Sequence, residues 1–285
     1  MIIKTAALIK SKGVFLFRDQ PYSGGVMEFY DAPVLCGRLY DSGQDVGPYQ
    51  SKYIHKQSDS YIELSRDYVG DQFYLNGSAY TGFAYEFKGD ICISERFIEH
   101  GWDVDEVTYY SEGQLCSIEI GEDLVQKYRW SDAGVLERFS INKNSEFMIS
   151  AEFIESQLRF FTLTGNYFDK IPELINLVDF PFFQRKKELS SVVCGSHLYL
   201  SGDGVTNEIL YFLLGSKEPL ELRSLHLNNV GFSPDLIGIF VNLDLLGEIR
   251  ISTAKSTKEK WKAWCCGFGS KYMGRQIFLN DESIP

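Results

Sequence analysis

The chain has 285 residues, of which 44% are hydrophobic, enough for one long or two fused folded domains and too apolar for a disordered chain. Its 39 acids against 28 bases give a net charge of −11, which argues against nonspecific affinity for nucleic acid or an anionic membrane. A basic partner protein suits that charge better. Aromatic residues make up 15%, a composition that suits half-buried strands.

The chain opens on Met1–Gly13, whose apolar run is too short for a signal peptide and is broken by Lys10 and Lys12. No segment approaches bilayer-spanning length, so a cytoplasmic location is expected. Cys36, Cys92, Cys116, Cys194, Cys265 and Cys266 show no Cys-x-x-Cys spacing. They read as free thiols in a reducing compartment, and Cys265 and Cys266 are too close in sequence to bridge each other.

Gly13–Phe17 is a short strand run ended by a turn cluster at Arg18–Pro21. Tyr22, Gly24, Glu28 and Phe29 then recur, at one common offset, as Tyr80, Gly82, Glu86 and Phe87. Tyr40–Gln44 is echoed by Tyr110–Gln114. From Tyr74 to Arg138, aromatic pairs, glycine turns and alternating runs follow one another at intervals fitting one hairpin and its return connection. Gly77, Gly89, Gly101, Gly113 and Gly134 fall at the turns, where positive φ favours glycine. Alternation in Val107–Tyr110 and Cys116–Ile120 places apolar side chains on one face. The YxGxxxEF pattern, the Tyr109–Leu115 segment and the recurring aromatic–glycine turns resemble MORN-type repeats, in the form found in bacterial antitoxin and immunity proteins. The resemblance covers roughly residues 14–140. It implies a curved antiparallel sheet built hairpin by hairpin, in a family whose members bind proteins or associate with lipid.

A boundary is expected near Asn142–Ser145, giving domains at 1–144 and 145–285. Beyond it, Phe161–Leu163, Leu198–Leu200, Leu225–Leu227 and Ile249–Ile251 are short strands, each followed by polar residues. Helical runs are expected at Asn207–Gly215 and Asp235–Gly247, the second with Leu236, Ile239, Phe240, Leu243 and Leu246 on one face. This alternation resembles a leucine-rich-repeat solenoid over roughly 158–253, with Asn166 and Asn228–Asn229 at the asparagine position. Arg185–Lys187 marks an insertion. Trp261–Phe268 and Arg275–Leu279 cap the stack, with a turn-rich break at Gly267–Gly274. The expected class is α+β, mostly β: stacked antiparallel hairpin repeats followed by a short solenoid.

Sequence patterns for catalysis are absent. His55, His100, His197 and His226 show no metal-ligand spacing, no phosphate-binding or nucleophile-elbow motif occurs, and Asp203-Gly204 lacks the ligand series of a calcium loop. No cofactor and no metal are expected. Charge is polarised: Glu95–Asp123 holds nine acids and one base, whereas Lys255–Arg275 holds six bases and one acid. The family resemblance and this polarity lead to one expectation: a non-enzymatic immunity protein or antitoxin that occludes a cognate toxin, such as a nuclease or nucleotide-modifying effector. The expected contact residues are Glu99, Asp103, Asp105, Glu106, Tyr109, Tyr110, Trp130, His226 and Arg250. His226, between Leu225 and Leu227, should face outward. The rival readings are a membrane-associated MORN scaffold and a hydrolase using Asp103, Asp105 and Glu106. The bland alternative for those acids is a solvated strand edge.

Overall fold

The computed structural model describes all residues except 32–33, 65–71, 144–146, 156, 165–193, 208–209, 211–220, 272–275, 281 and 285. The protein is mostly β, with 56% strand and 11% helix, and its strands stack in a solenoid-like manner. Contacts divide it into two compact units, Met1–Leu136 and Glu137–Pro285. The boundary expected at residue 144 falls among the residues outside the description.

The first unit is a duplication. Its strands are β1 (Ile2–Lys4), β2 (Ile9–Ser11), β3 (Val14–Phe17), β4 (Gln20–Pro21), β5 (Gly24–Asp31), β6 (Val34–Asp41) and β7 (Gln44–Pro48). The second copy supplies β8 (Tyr61–Glu63), β9 (Tyr74–Leu75), β10 (Ser78–Ala79), β11 (Gly82–Lys88), β12 (Ile91–Glu99) and β13 (Trp102–Tyr109). From Phe15 onward equivalent residues lie 58 positions apart, as Tyr22 does from Tyr80 and Gly43 from Gly101. The backbone bonds repeat with them. Tyr22 N–H donates to Phe15 O and Gly43 N–H to Tyr22 O; Tyr80 N–H donates to Phe73 O and Gly101 N–H to Tyr80 O.

The recurring Tyr-x-Gly has a physical reason. The Tyr22 hydroxyl donates to Met1 O at 2.7 Å, and the Tyr80 hydroxyl to Ser60 O at 3.0 Å. A Cβ on Gly24 would stand 2.4 Å from Met1 O, and one on Gly82 2.6 Å from Ser60 O, with φ of +150° and +151°. Only glycine lets the first strand of each copy lie this close. That strand runs parallel to its neighbour, β1 beside β5 and β8 beside β11. The sheet is therefore not purely antiparallel, as the hairpin pattern had suggested.

Each leading strand also pairs with the other copy, β1 with β12 and β8 with β6. Six strands thus close into a ring, β1-β5-β6-β8-β11-β12, which leaves no free edge among them. The reciprocity is that of an approximate two-fold axis. Lys4 and Glu63 occupy equivalent places and meet at 2.8 Å, while the Lys4 ammonium lies 4.8 Å from the Phe29 ring and 4.9 Å from its counterpart Phe87. Two matching cores fill the unit, Ile3–Tyr22–Val26–Tyr40 and Ile62–Phe73–Tyr80–Ala84–Ile98. Strands β14 (Leu115–Ile120) and β15 (Leu124–Trp130) extend the sheet from β13 as antiparallel hairpins. The five glycines expected at turns all have positive φ.

The second unit begins as an antiparallel meander of β16 (Leu136–Lys143), β17 (Phe147–Ile154) and β18 (Gln157–Thr164). It continues as a parallel ladder of β19 (Cys194–Ser201), β20 (Ser224–Asn228), β21 (Glu248–Ser252) and β22 (Gln276–Leu279), with β23 (Glu282–Ile284) antiparallel at its end. One face carries two apolar rows in register, Leu198–Leu225–Ile249–Ile277 and Leu200–Leu227–Ile251–Leu279, each residue 1–2% exposed. Burying a leucine of this kind contributes roughly 1.5–3 kcal/mol. Phe232, Phe240, Leu246 and Trp261 are buried in the same unit, with Phe232 edge-on to Trp261 at 5.9 Å.

Two expectations are corrected here. Asp235–Gly247 is not one helix: a 3-10 turn at Pro234–Leu236 leads into α1 (Ile237–Phe240), after which Val241 is extended and the Asn242 side chain accepts Asp244 N–H. Local asparagine bonding competes with helix continuation there. Gly267 breaks nothing, because α2 (Lys255–Lys271) runs through it. The cap at Trp261–Phe268 is thus helical, and it buries Trp261 and Cys265. The run Asn207–Gly215 lies mostly outside the described residues, as do Asn166 and Arg185–Lys187. Cys36, Cys92, Cys116, Cys265 and Cys266 are free thiols.

Candidate interaction surface

The acids of the first unit are largely engaged already. Arg96 holds both Asp103 and Glu106 at 2.9 Å, and Lys56 holds Glu122 at 2.8 Å and Glu99 at 3.6 Å. Glu119 pairs with Lys127 and Glu112 with Arg18. The Arg96–Asp103 pair repeats Arg38–Asp45 of the first copy, so it belongs to the architecture of the duplicated unit. Asp105 is buried and accepts Gly121 N–H at 2.8 Å. Burial pushes its pKa up, against that bond and nearby Lys56. Asp103, Asp105 and Glu106 therefore do not converge on an open site.

The aromatic candidates of this unit are also engaged, Trp130 buried and Tyr109 and Tyr110 half-buried. Trp130 is 7% exposed and its carbonyl accepts the Tyr110 hydroxyl at 2.7 Å. Tyr109 donates its hydroxyl to Glu95 at 3.3 Å.

Glu95 is the centre of the one sealed polar cluster that stands out among the described residues. It is fully buried, and its carboxylate accepts the hydroxyls of Tyr49 and Tyr85 at 3.2 Å, beside Tyr109 and Ser51. Burial raises its pKa while those four donors oppose the rise. The three tyrosines are in turn driven up by burial and the neighbouring carboxylate. Glu95 pairs across the sheet with Tyr85, as Gly37 pairs with Met27 in the other copy. The same fold position is thus apolar in one copy and ionisable in the other.

The second unit presents the contrasting surface. Opposite its leucine rows, one register line runs Phe160–Tyr199–His226–Arg250–Phe278 across five strands. The rings of Phe160 and Tyr199 are 5.6 Å apart, those of Tyr199 and His226 6.3 Å, and the Arg250 guanidinium lies 4.5 Å over Phe278. Phe160 is 44% exposed, and the His226 and Arg250 side chains are 37% and 47% exposed. Glu248 bridges Arg250 and His226, and Arg250 holds its carboxyl below the usual range. Asn228 donates to Tyr199 Oη at 3.2 Å and to Ser201 Oγ at 3.3 Å. A parallel sheet is normally covered on both faces; here a line of half-exposed planar groups is left accessible.

The structure therefore gathers His226 and Arg250 on one surface, and ties Asp103 and Glu106 to Arg96, Glu99 to Lys56 and Tyr110 to Trp130. Phe160 and Tyr199 were missed by sequence reasoning, although their placement beside Phe161, Leu198 and Leu200 in alternating runs could have found them. Among the described residues, no group of three metal-ligating side chains occurs, and no helix is long and apolar enough to cross a membrane. Comparison with known proteins finds no matching family model, no similar characterised protein and no similar solved structure.

Proposed function

We propose that the protein is an inhibitory binding protein, an immunity protein or antitoxin that covers a bacterial toxin in the cytoplasm. In this reading the first unit is a MORN-like hairpin scaffold and the second a leucine-rich-repeat-like recognition module. The observation that carries it is the in-register line Phe160–Tyr199–His226–Arg250–Phe278. Tyrosine and arginine are favoured anchors of protein interfaces, and rigid strands present them at low entropic expense. The net charge of −11 speeds capture of a basic partner at long range.

Co-expression with the product of the adjacent gene is the test. A one-to-one complex and rescue of cells from that product are expected. Failure of both removes the immunity reading. Failure of rescue alone leaves a binding protein of another kind.

A further inference from the structure

We propose that the open face of the second unit takes a carboxylate of the partner protein at Arg159, with Phe160 and Tyr199 seating the apolar residues beside it. This rests on the reading of that face as the partner-binding surface.

The starting point is a bulge. Glu152 and Phe153 of β17 face Phe160 and Leu158 of β18, so Arg159 is one residue extra. The register against β19 breaks at the same place. Leu158 and Phe161 are both in the core, 0% and 2% exposed, and the bulge allows the two residues between them to leave it. Bulges of this kind re-aim side chains next to functional sites.

Among the described residues, the re-aimed side chain has no ion-pair partner. The Arg159 Nε is buried and has no hydrogen-bond partner. Among the described residues no carboxylate pairs with Arg159; the nearby Glu152 is held by Arg138 at 3.2 Å. Among the described residues, the hydrogen bond of Arg159 is from Nη1 to His197 Nδ1, at 3.4 Å. Arginine can only donate, so Nδ1 accepts. The Ser196 hydroxyl, 2.8 Å away, donates to the same nitrogen. That leaves the His197 proton on Nε2. The Tyr199 oxygen already accepts from Asn228, which leaves its hydrogen to donate.

Beyond the Nη1–His197 contact, the guanidinium of Arg159, His197 Nε2 and the Tyr199 hydroxyl keep hydrogens with no acceptor among the described residues. The buried Nε stays out of a ligand's reach, but the Nη groups at the tip of the guanidinium are not buried, and an incoming anion can accept from them. A carboxylate fits the planar fork in bidentate fashion. The exposed Phe160 ring, tilted against Tyr199, favours an apolar flank over the bare phosphate of a soluble ion.

The test uses the full chain and short fluorescein-labelled peptides carrying one glutamate among leucines. Anisotropy should show binding of the glutamate peptide, and weaker binding, on the order of tenfold, of glutamine, lysine and phosphoserine counterparts. Arg159→Met should lower affinity by a similar factor while leaving Tm unchanged or higher, because it removes a buried unsatisfied donor. Arg159→Lys should fall between. The proposal is overturned if the glutamate peptide does not bind, if the glutamine or phosphoserine peptide binds as well, or if Arg159→Met keeps its affinity or lowers Tm. A complex with the adjacent gene product that survives Arg159→Met would sink this assignment and leave the proposed function standing.

Discussion

The two units treat their polar groups in opposite ways. The first folds its strands into a ring and pairs its charges with one another: Arg96 with two acids, Lys56 with two more, and Glu95 with a ring of hydroxyls. The second stacks strands in parallel and leaves a line of rings and a guanidinium half-exposed. A long acidic run in sequence is thus a poor guide to an available charge, because the sheet can bring each acid its base. An alternating run with aromatics on its polar side is a better guide to an available surface.

The comparison breaks most visibly at the close backbone approach of the first unit. Gly82→Val places a Cβ against Ser60 O in a conformation valine resists, and should cost about 3 kcal/mol or more. Chemical denaturation should show it, and Gly24→Val should match it if the two copies are energetically equivalent. In the second unit Leu227→Ala removes a fully packed side chain from a stacked row, a loss of roughly 2–5 kcal/mol in the same measurement.

A smaller effect of opposite sign is expected at Glu95. Its folded pKa is raised, so the folded state holds the proton more tightly than the unfolded chain. The stability this gives is full below the ordinary value of 4.5 and is lost as pH rises through the folded pKa. Glu95→Gln should therefore stabilise the protein at neutral pH and flatten the fall of Tm across that window. A variant less stable than the parent at neutral pH would show that the hydroxyl ring favours the carboxylate outright.

The smallest effect on stability should be at the open face. Arg250→Ala should change it by about 0.5 kcal/mol or less, since exposed pairs contribute little. It should nonetheless weaken partner binding on the order of tenfold. Arg96→Ala should leave binding intact. Reversal of the last two outcomes would move the interface to the first unit.

Much of this organisation was legible in the chain. The Tyr-x-Gly and Glu-Phe echoes are the visible part of the duplication, because glycine and a bonded tyrosine are both required at the strand approach. The L-x-L strands were legible because period-two alternation survives in them. Ring closure was not: it depends on pairing across distant parts of the chain, β1 with β12 and β8 with β6, which no local pattern encodes. Trp130 and Tyr109 looked like anchors because an aromatic side chain in an alternating run does not reveal which face it takes. Glu95 read as one more acid in a charged stretch. Only its mismatch with Gly37, its counterpart in the first copy, marks it out. The bulge at Arg159 leaves no sign beyond two consecutive non-core residues between Leu158 and Phe161.

The Lys4–Glu63 contact carries one last implication. A complex of two identical single-copy chains would set lysine against lysine, or glutamate against glutamate, on the symmetry axis. Joining both copies in one polypeptide frees each position to mutate alone, so opposite signs can meet where self-association would force a repulsion. The seam can hold an ion pair because the halves are no longer the same molecule twice.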